Sequence, residues 1–79
     1  MSSDLTLIAL LCREAAKLGL NVGMSDARPA AVFRTPGRPP AWITVGVSGE
    51  FYELHGSQNR YPVTDPAAAA ALIRKHLTP

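Results

Sequence analysis

Hydrophobic positions with a helical period occur near both ends of the chain. Between Asp4 and Leu18, apolar residues recur at spacings of three and four; Ser3 or Asp4 offers an N-cap, and Gly19 follows as a typical helix stop. The segment from Asp65 to Leu77 begins with an Asp-Pro pair, which favours a helix start, and continues as an alanine-rich run of high helix propensity. Two helices are therefore predicted.

The residues between the helices predict strands, because apolar and polar side chains begin to alternate. Leu20–Met24 follows this alternation, and a turn at Asp26–Pro29 separates it from a second strand at 30–35. The pattern leaves open whether Val32 or Phe33 points towards the core. This second strand is the least well determined element of the prediction.

A hairpin is predicted after a proline-rich loop at 36–40. It pairs strand 42–48 with strand 51–55 across Gly49-Glu50, since glycine at the first central position suits a two-residue type II′ turn. This register brings the aliphatic side chains to one face, with the cross-strand pairs Val47 with Tyr52 and Val45 with Leu54, and Ile43 beside them. The other face would carry Trp42, Thr44, Gly46, Ser48, Phe51, Glu53 and His55.

Together these elements predict an α+β fold with the order α-β-β-β(-β)-α. The optional last strand is Arg60–Val63, which follows a turn at 56–59. Both helices would cover the aliphatic face of an antiparallel sheet, so that residues 1–79 form one small two-layer sandwich. The other sheet face would stay open, and the pattern does not determine the strand order.

Length and composition narrow the possible functions. The 79 residues are 47% hydrophobic and 18% charged, which is typical of a folded domain. A domain this short buries only about 60% of the surface of its unfolded chain, so an enclosed catalytic cleft is not expected. We therefore predict that the protein is not an enzyme. Glu53 and His55 could act as an acid and a base only if an oligomer created a pocket around them.

Cys12 is the single cysteine, so neither an intramolecular disulfide nor a Cys/His zinc site is expected. It falls on an apolar helix face, where a free cysteine acts as a small buried hydrophobe. The apolar run from Leu5 to Cys12 is too short to cross a membrane, and no signal peptide or anchor is visible. These features predict a cytoplasmic protein without metal, cofactor or membrane contact.

The open sheet face is the first candidate for function. Exposed aromatic side chains beside polar ones suit binding of a protein partner or a second copy of the chain. The predicted contacts are Trp42, Phe51, Thr44 and His55, with Arg34 and Arg38 from the neighbouring loop at the polar rim. Alternatively, Trp42 covers the rim of a small core and makes no contact with a partner.

Nucleic-acid binding is the alternative function. Arg34, Arg38 and Arg60 together with nearby aromatic residues resemble the mixture that holds phosphates and stacks bases. The net charge of +2 gives weak steering. This alternative therefore requires that the three arginines converge on one surface.

Two resemblances accompany these patterns. The order of a helix, strands and a helix is similar to that of double-stranded RNA-binding domains, which bind phosphates through basic residues at the start of the last helix. Here that place holds Thr64-Asp65-Pro66-Ala67-Ala68, so no binding residue is carried over. Phe51-Tyr52, Tyr61-Pro62-Val63 and the Asp-Pro start of the alanine-rich helix also resemble short uncharacterised helix-sheet-helix proteins of high-GC bacteria, a resemblance that implies a bacterial source and no particular activity.

Overall fold

Two helices and five strands make up the computed structural model, which describes residues 3–25 and 27–77. In chain order they are α1 (Asp4–Lys17), β1 (Val22–Ser25), β2 (Ala30–Phe33), β3 (Ala41–Val45), β4 (Phe51–Leu54), β5 (Arg60–Pro62) and α2 (Pro66–Leu77). The predicted α+β two-layer sandwich is confirmed. The sheet has five strands, whereas the predicted order α-β-β-β(-β)-α allows at most four, because the optional last strand is present in addition to four strands between residues 20 and 55. Asp26, which belongs to the predicted turn at 26–29, lies outside the described residues.

The strands form one antiparallel sheet in which each strand pairs with its neighbours in sequence, in the order β1-β2-β3-β4-β5. This meander leaves β1 and β5 as the two edges of the sheet. Both helices pack on the same face, α1 against β1, β2 and β3, and α2 against β5. Leu10 of α1 lies near Ala67 of α2, and Leu18 lies near Ala71, further along both helices. The two helices therefore run side by side in the same direction.

The helices begin and end with the capping residues that the sequence predicts. The Ser3 hydroxyl oxygen accepts a hydrogen bond from the Thr6 N–H at 3.1 Å, and the Asp65 carboxylate accepts one from the Ala68 N–H at 3.1 Å. Gly19, with a φ of 81°, ends α1 in a Schellman arrangement, which is completed by the Leu20 N–H. The first helix ends at Lys17, one residue before the predicted end.

The core lies between the helices and every second residue of the sheet. Phe33 points into it, which answers the question that the sequence leaves open, while Val32 lies on the other face beside its cross-strand partner Trp42. Ala69 and Ala70 are fully buried, so the alanine-rich run lets α2 pack closely against its neighbours. The buried cluster comprises Ile8, Leu11, Ala15, Ala31, Phe33, Ile43, Tyr52, Leu54, Tyr61, Ala69, Ala70 and Ile73.

The predicted register of the central hairpin is wrong by two residues. Val45 opposes Tyr52 and Ile43 opposes Leu54, so Val47 lies in the loop and is fully exposed. The loop spans residues 47–50 and replaces the predicted two-residue type II′ turn.

Hydrogen bonds within the hairpin loop explain this difference. The Gly49 N–H donates to the Gly46 carbonyl at 2.9 Å, and the Ser48 hydroxyl accepts from the Glu50 N–H at 3.3 Å. The bond from Gly49 to Gly46 closes a turn centred on Val47-Ser48, and the Gly46 N–H pairs with the Phe51 carbonyl at 2.9 Å, so the chain does not turn at Gly49-Glu50. A shift of two residues keeps every side chain on its face, so the predicted division of the hairpin between two faces remains correct for the strand residues.

Neither helix in the described part of the chain is long and apolar enough to cross a membrane.

Candidate binding surface

The sheet face opposite the helices, here called the open face, carries the residues predicted to bind. Cross-strand pairing places Trp42 between Val32 and His55, whose N–H donates to the Trp42 carbonyl at 2.8 Å. In the next row, Thr44 lies between Ala30 and Glu53. The structure therefore brings Trp42, Thr44 and His55 together near the middle of the sheet.

An apolar groove of about 500 Å³ lies on the open face around Trp42. The indole is 44% exposed, because no helix covers this side of the sheet. Ala27 and Arg28, from the connection between β1 and β2, form one wall of the groove. The residues that line this apolar groove are Ser25, Ala27, Arg28, Ala30, Trp42, Thr44 and His55.

A second groove, of about 540 Å³ and polar, lies beside the first. The two share Thr44 and His55 as lining residues, so they adjoin each other on the open face. The loop at 56–59, between β4 and β5, forms the outer wall of this polar groove, and Glu53 and Arg60 line it from the sheet. The open face thus offers an apolar end and a polar end side by side.

Glu53 is engaged with its own sheet. Its carboxylate lies 3.6 Å from the Arg60 guanidinium in an exposed ion pair. It also lies over Gly46, where a Cβ atom would come within 2.5 Å of the carboxylate oxygen. Among the described residues there is no hydrogen bond or ion pair between Glu53 and His55. Glycine at position 46 therefore leaves the space that this carboxylate occupies.

Phe51 lies on the open face but apart from Trp42. It is half-buried, opposes Pro62 of β5, and lines neither groove. Four residue positions separate its row from that of Trp42 along the strands, roughly 13 Å at the usual strand rise. The two aromatic side chains therefore do not form one continuous patch.

The three arginines of the nucleic-acid alternative do not converge on one surface. The Arg34 guanidinium lies 3.8 Å from where a Cβ atom on Gly23 would be, at the β1 side of the open face. Arg38 donates to the Leu77 carbonyl at 3.4 Å and so lies at the C-terminal end of α2, in the helix layer. Arg60 is on β5, four strand spacings from β1, which is roughly 19 Å. Of the two predicted rim residues, only Arg34 borders the open face.

The groove wall at Ala27 and Arg28 could not be predicted from the sequence. Both residues belong to a segment that the pattern identifies only as a turn, and alternation carries no information on where a turn folds. Arg28 stands among the basic residues of the middle of the chain, but nothing in its local sequence distinguishes it from the others.

Cys12 is unsuited to nucleophilic chemistry in this fold. It faces β1, with its sulfur 3.9 Å from the Gly23 carbonyl oxygen. Burial raises the pKa of the thiol, which is the opposite of what a reactive thiolate requires. No group of three His, Cys, Asp or Glu side chains that could hold a metal ion occurs within residues 3–25 and 27–77.

No family model matches the chain, and no similar protein was found among curated proteins or among solved structures. The resemblance to short bacterial helix-sheet-helix proteins therefore stays a prediction. Support for a function comes from the geometry of the open face alone.

Proposed function

We propose that this protein is a small non-catalytic binding module that recognises a protein partner through the open face. The observation that carries the proposal is the position of Trp42, which is exposed within an apolar groove and lies away from both helices. Tryptophan dominates the binding energy of many protein interfaces, because a large flat apolar surface is removed from water at small entropic cost.

The two grooves define the kind of segment that would fit. An apolar side chain of the partner would contact Trp42 and Ala30 in the apolar groove. Neighbouring polar groups would then meet His55 and the ion pair of Glu53 with Arg60 in the polar groove. An apolar centre beside a polar rim is the usual composition of a protein interface.

The divergence of the arginines speaks against the nucleic-acid alternative. A strand of nucleic acid would have to be contacted from the helix layer by Arg38 and from the open face by Arg34. Arg60 is already paired with a carboxylate, which reduces its attraction for phosphate. We therefore do not propose nucleic-acid binding as a second function.

Site-specific crosslinking in the native host tests the proposal. A photoreactive amino acid at Thr44, between the grooves, should give a defined protein adduct, and the same amino acid at Leu72 on α2 serves as the control. The adduct from position 44 should be lost when Trp42→Ala is added, provided that the variant retains the native amide spectrum. Equal adducts at both positions, or an adduct that persists with Trp42→Ala, would contradict the proposal.

A further inference from the structure

The outer side of β1, here called the β1 edge, presents unpaired backbone groups. The Arg34 N–H donates to the Asn21 carbonyl at 2.9 Å, so Asn21 and Arg34 occupy a hydrogen-bonded position of the ladder between β1 and β2. Bonded and non-bonded pairs alternate along an antiparallel ladder, so Gly23 also bonds towards β2. Val22 and Met24 must then direct their N–H and C=O groups outwards. The β1 edge therefore offers two donors and two acceptors.

Apart from its short length of four residues, this edge lacks the features by which proteins usually prevent strand pairing. Strand β1 is Val22-Gly23-Met24-Ser25 and contains neither a charged residue nor a proline. At the other edge, β5 is only three residues long and includes Arg60 and Pro62. Proline has no N–H, and the arginine is charged, so pairing at β5 is disfavoured. The two edges differ in their readiness to accept another strand.

The side of α1 above the β1 edge is apolar and made mostly of small residues. Cys12 contacts Gly23, which places its side of the helix over β1. Leu5 and Ala9 lie seven and three residues before Cys12, and Ala16 lies four residues after it. At these spacings all three share the side of the helix that carries Cys12. All three are exposed, and so is Met24 of β1, at 45%. We call this stripe the α1 flank.

We infer that the β1 edge pairs with the β1 edge of a second copy of this chain, antiparallel about a two-fold axis at Gly23. In this register Val22 of each copy faces Met24 of the other, so all the outward backbone groups of both residues form hydrogen bonds. A shift of two residues in either direction would leave part of them unpaired. Gly23 at the axis has no side chain to oppose its counterpart.

A second copy suits this surface better than an unrelated strand does. A two-fold interface brings identical patches together, so a patch with net charge would repel itself. Strand β1 and the residues of the α1 flank carry no charged side chain, and Ala9 and Ala16 allow the two α1 helices to approach closely. The nearby charge of Arg34 lies on the opposite face of the sheet, over Gly23, and opposes the pairing only through exposed groups. A contact limited to one strand and one helix flank is expected to bury less than the roughly 1,200 Å² typical of stable complexes, so the dimer should be weak.

Arg34 gives this pairing a distinctive dependence on salt. Its guanidinium lies over Gly23 on the open face, so the two-fold axis brings the two copies of Arg34 near each other. Their repulsion is between exposed charges and is screened by salt. Self-association should therefore strengthen as ionic strength rises, whereas nucleic-acid binding weakens.

Sedimentation equilibrium of the purified chain at concentrations from about 10 μM to about 1 mM tests the inference, because this range covers the dissociation constant of a weak dimer. Met24→Lys should abolish the dimer by placing a charge in the β1 edge. The matched control is Leu72→Lys, which replaces a similarly exposed apolar residue (49%) on α2 and should leave the dimer unchanged. Arg34→Gln should tighten self-association several-fold at low salt and have less effect at high salt.

Amide exchange locates the contact independently of stability. The Val22 and Met24 amides should become more protected as the concentration rises, while the Trp42 indole signal stays constant. A chain that remains monomeric over the whole range would overturn the inference, as would equal weakening by the two lysine substitutions. Concentration-dependent shifts centred on Trp42 would also overturn it. Because the open face is not used, failure here leaves the proposed binding function untouched.

Discussion

The phenolic hydroxyl of Tyr52 donates a hydrogen bond to the main-chain carbonyl of Leu7 at 2.6 Å. It connects the middle of β4 with the first half of α1, across residues that are 45 positions apart in sequence. Tyr52 is the largest fully buried side chain, and this bond satisfies its one polar group. The contact ties the helix layer to the strand that also carries Glu53 on the open face.

Removing this hydroxyl should destabilise the fold moderately. The Leu7 carbonyl retains the opportunity for its helical hydrogen bond, so Tyr52→Phe should lower the free energy of unfolding by about 1 kcal/mol. Tyr52→Leu, which also removes ring volume from the core, should cost more. Urea denaturation followed by circular dichroism measures both. Equal stability of Tyr52→Phe and the native chain would mean that the bond contributes nothing.

The free energy of unfolding should fall at alkaline pH, because Tyr52 and the nearby Cys12 are ionisable groups within the core. Burial raises the pKa of Tyr52 above 10.0, and the nearby Cys12 raises it further; burial also raises the pKa of the Cys12 thiol above 9.0. The unfolded chain releases these protons at lower pH than the folded chain does. Their contribution is therefore constant below about pH 9 and is lost as the pH rises through the folded-state pKa values.

Substitution of either group tests this pH dependence. Cys12→Ala and Tyr52→Phe should each flatten the decline in the free energy of unfolding above about pH 9, measured by urea denaturation at a series of pH values. Val47→Ser, which alters a fully exposed, non-ionisable side chain in the hairpin loop, is the control and should leave the decline unchanged. A native chain whose stability is constant up to about pH 11 would contradict the explanation.

The hairpin shows what the sequence can and cannot predict. Alternation assigns Ile43, Val45, Tyr52 and Leu54 to one face correctly, because the face depends only on odd or even position. It cannot choose between registers that differ by two residues, since each keeps the same faces. The loop decides, and here the hydrogen bonds at Gly46 and Gly49 favour four loop residues over two.

Two substitutions distinguish the observed register from the predicted one. Val47→Ser should change the free energy of unfolding by no more than about 0.5 kcal/mol, because this side chain is fully exposed. Ile43→Ala should cost about 2–5 kcal/mol, because Ile43 is fully buried beneath the helices. In the predicted register Val47 would oppose Tyr52 in the core, and Val47→Ser would then be costly.

Local signals predict the fold better than they predict the surface. The helix ends follow from Ser3, Gly19 and Asp65, because each cap depends only on residues three or four positions away. The position of the Arg38 side chain cannot be predicted in this way, because its hydrogen-bond partner Leu77 is 39 residues further along the chain. Side chains on loops are placed by such distant contacts, and these leave no pattern in the local sequence.

The cap of α2 provides a local test of this view. The Asp65 carboxylate accepts the Ala68 N–H, so Asp65→Ala should cost about 1 kcal/mol and fray the first turn of the helix. Asp65→Asn retains an acceptor at the same position and is the matched control, with a smaller loss. Thermal unfolding, together with exchange rates of the amides at 67–69, measures both effects. An Asp65→Ala variant with native stability and exchange would show that the cap is dispensable.

Whether Trp42 serves stability or binding is decided by comparing it with a core aromatic. Trp42 lies on the open face and is 44% exposed, so Trp42→Ala should lower the free energy of unfolding by about 1 kcal/mol and leave the amide spectrum native outside the apolar groove. Phe33→Ala, in the core beneath the helices, should cost about 3–5 kcal/mol. Chemical denaturation of the two variants measures the difference. A Trp42→Ala loss as large as that of Phe33→Ala would assign the indole to the rim of the core, and the exposed groove around it would then no longer support a binding role.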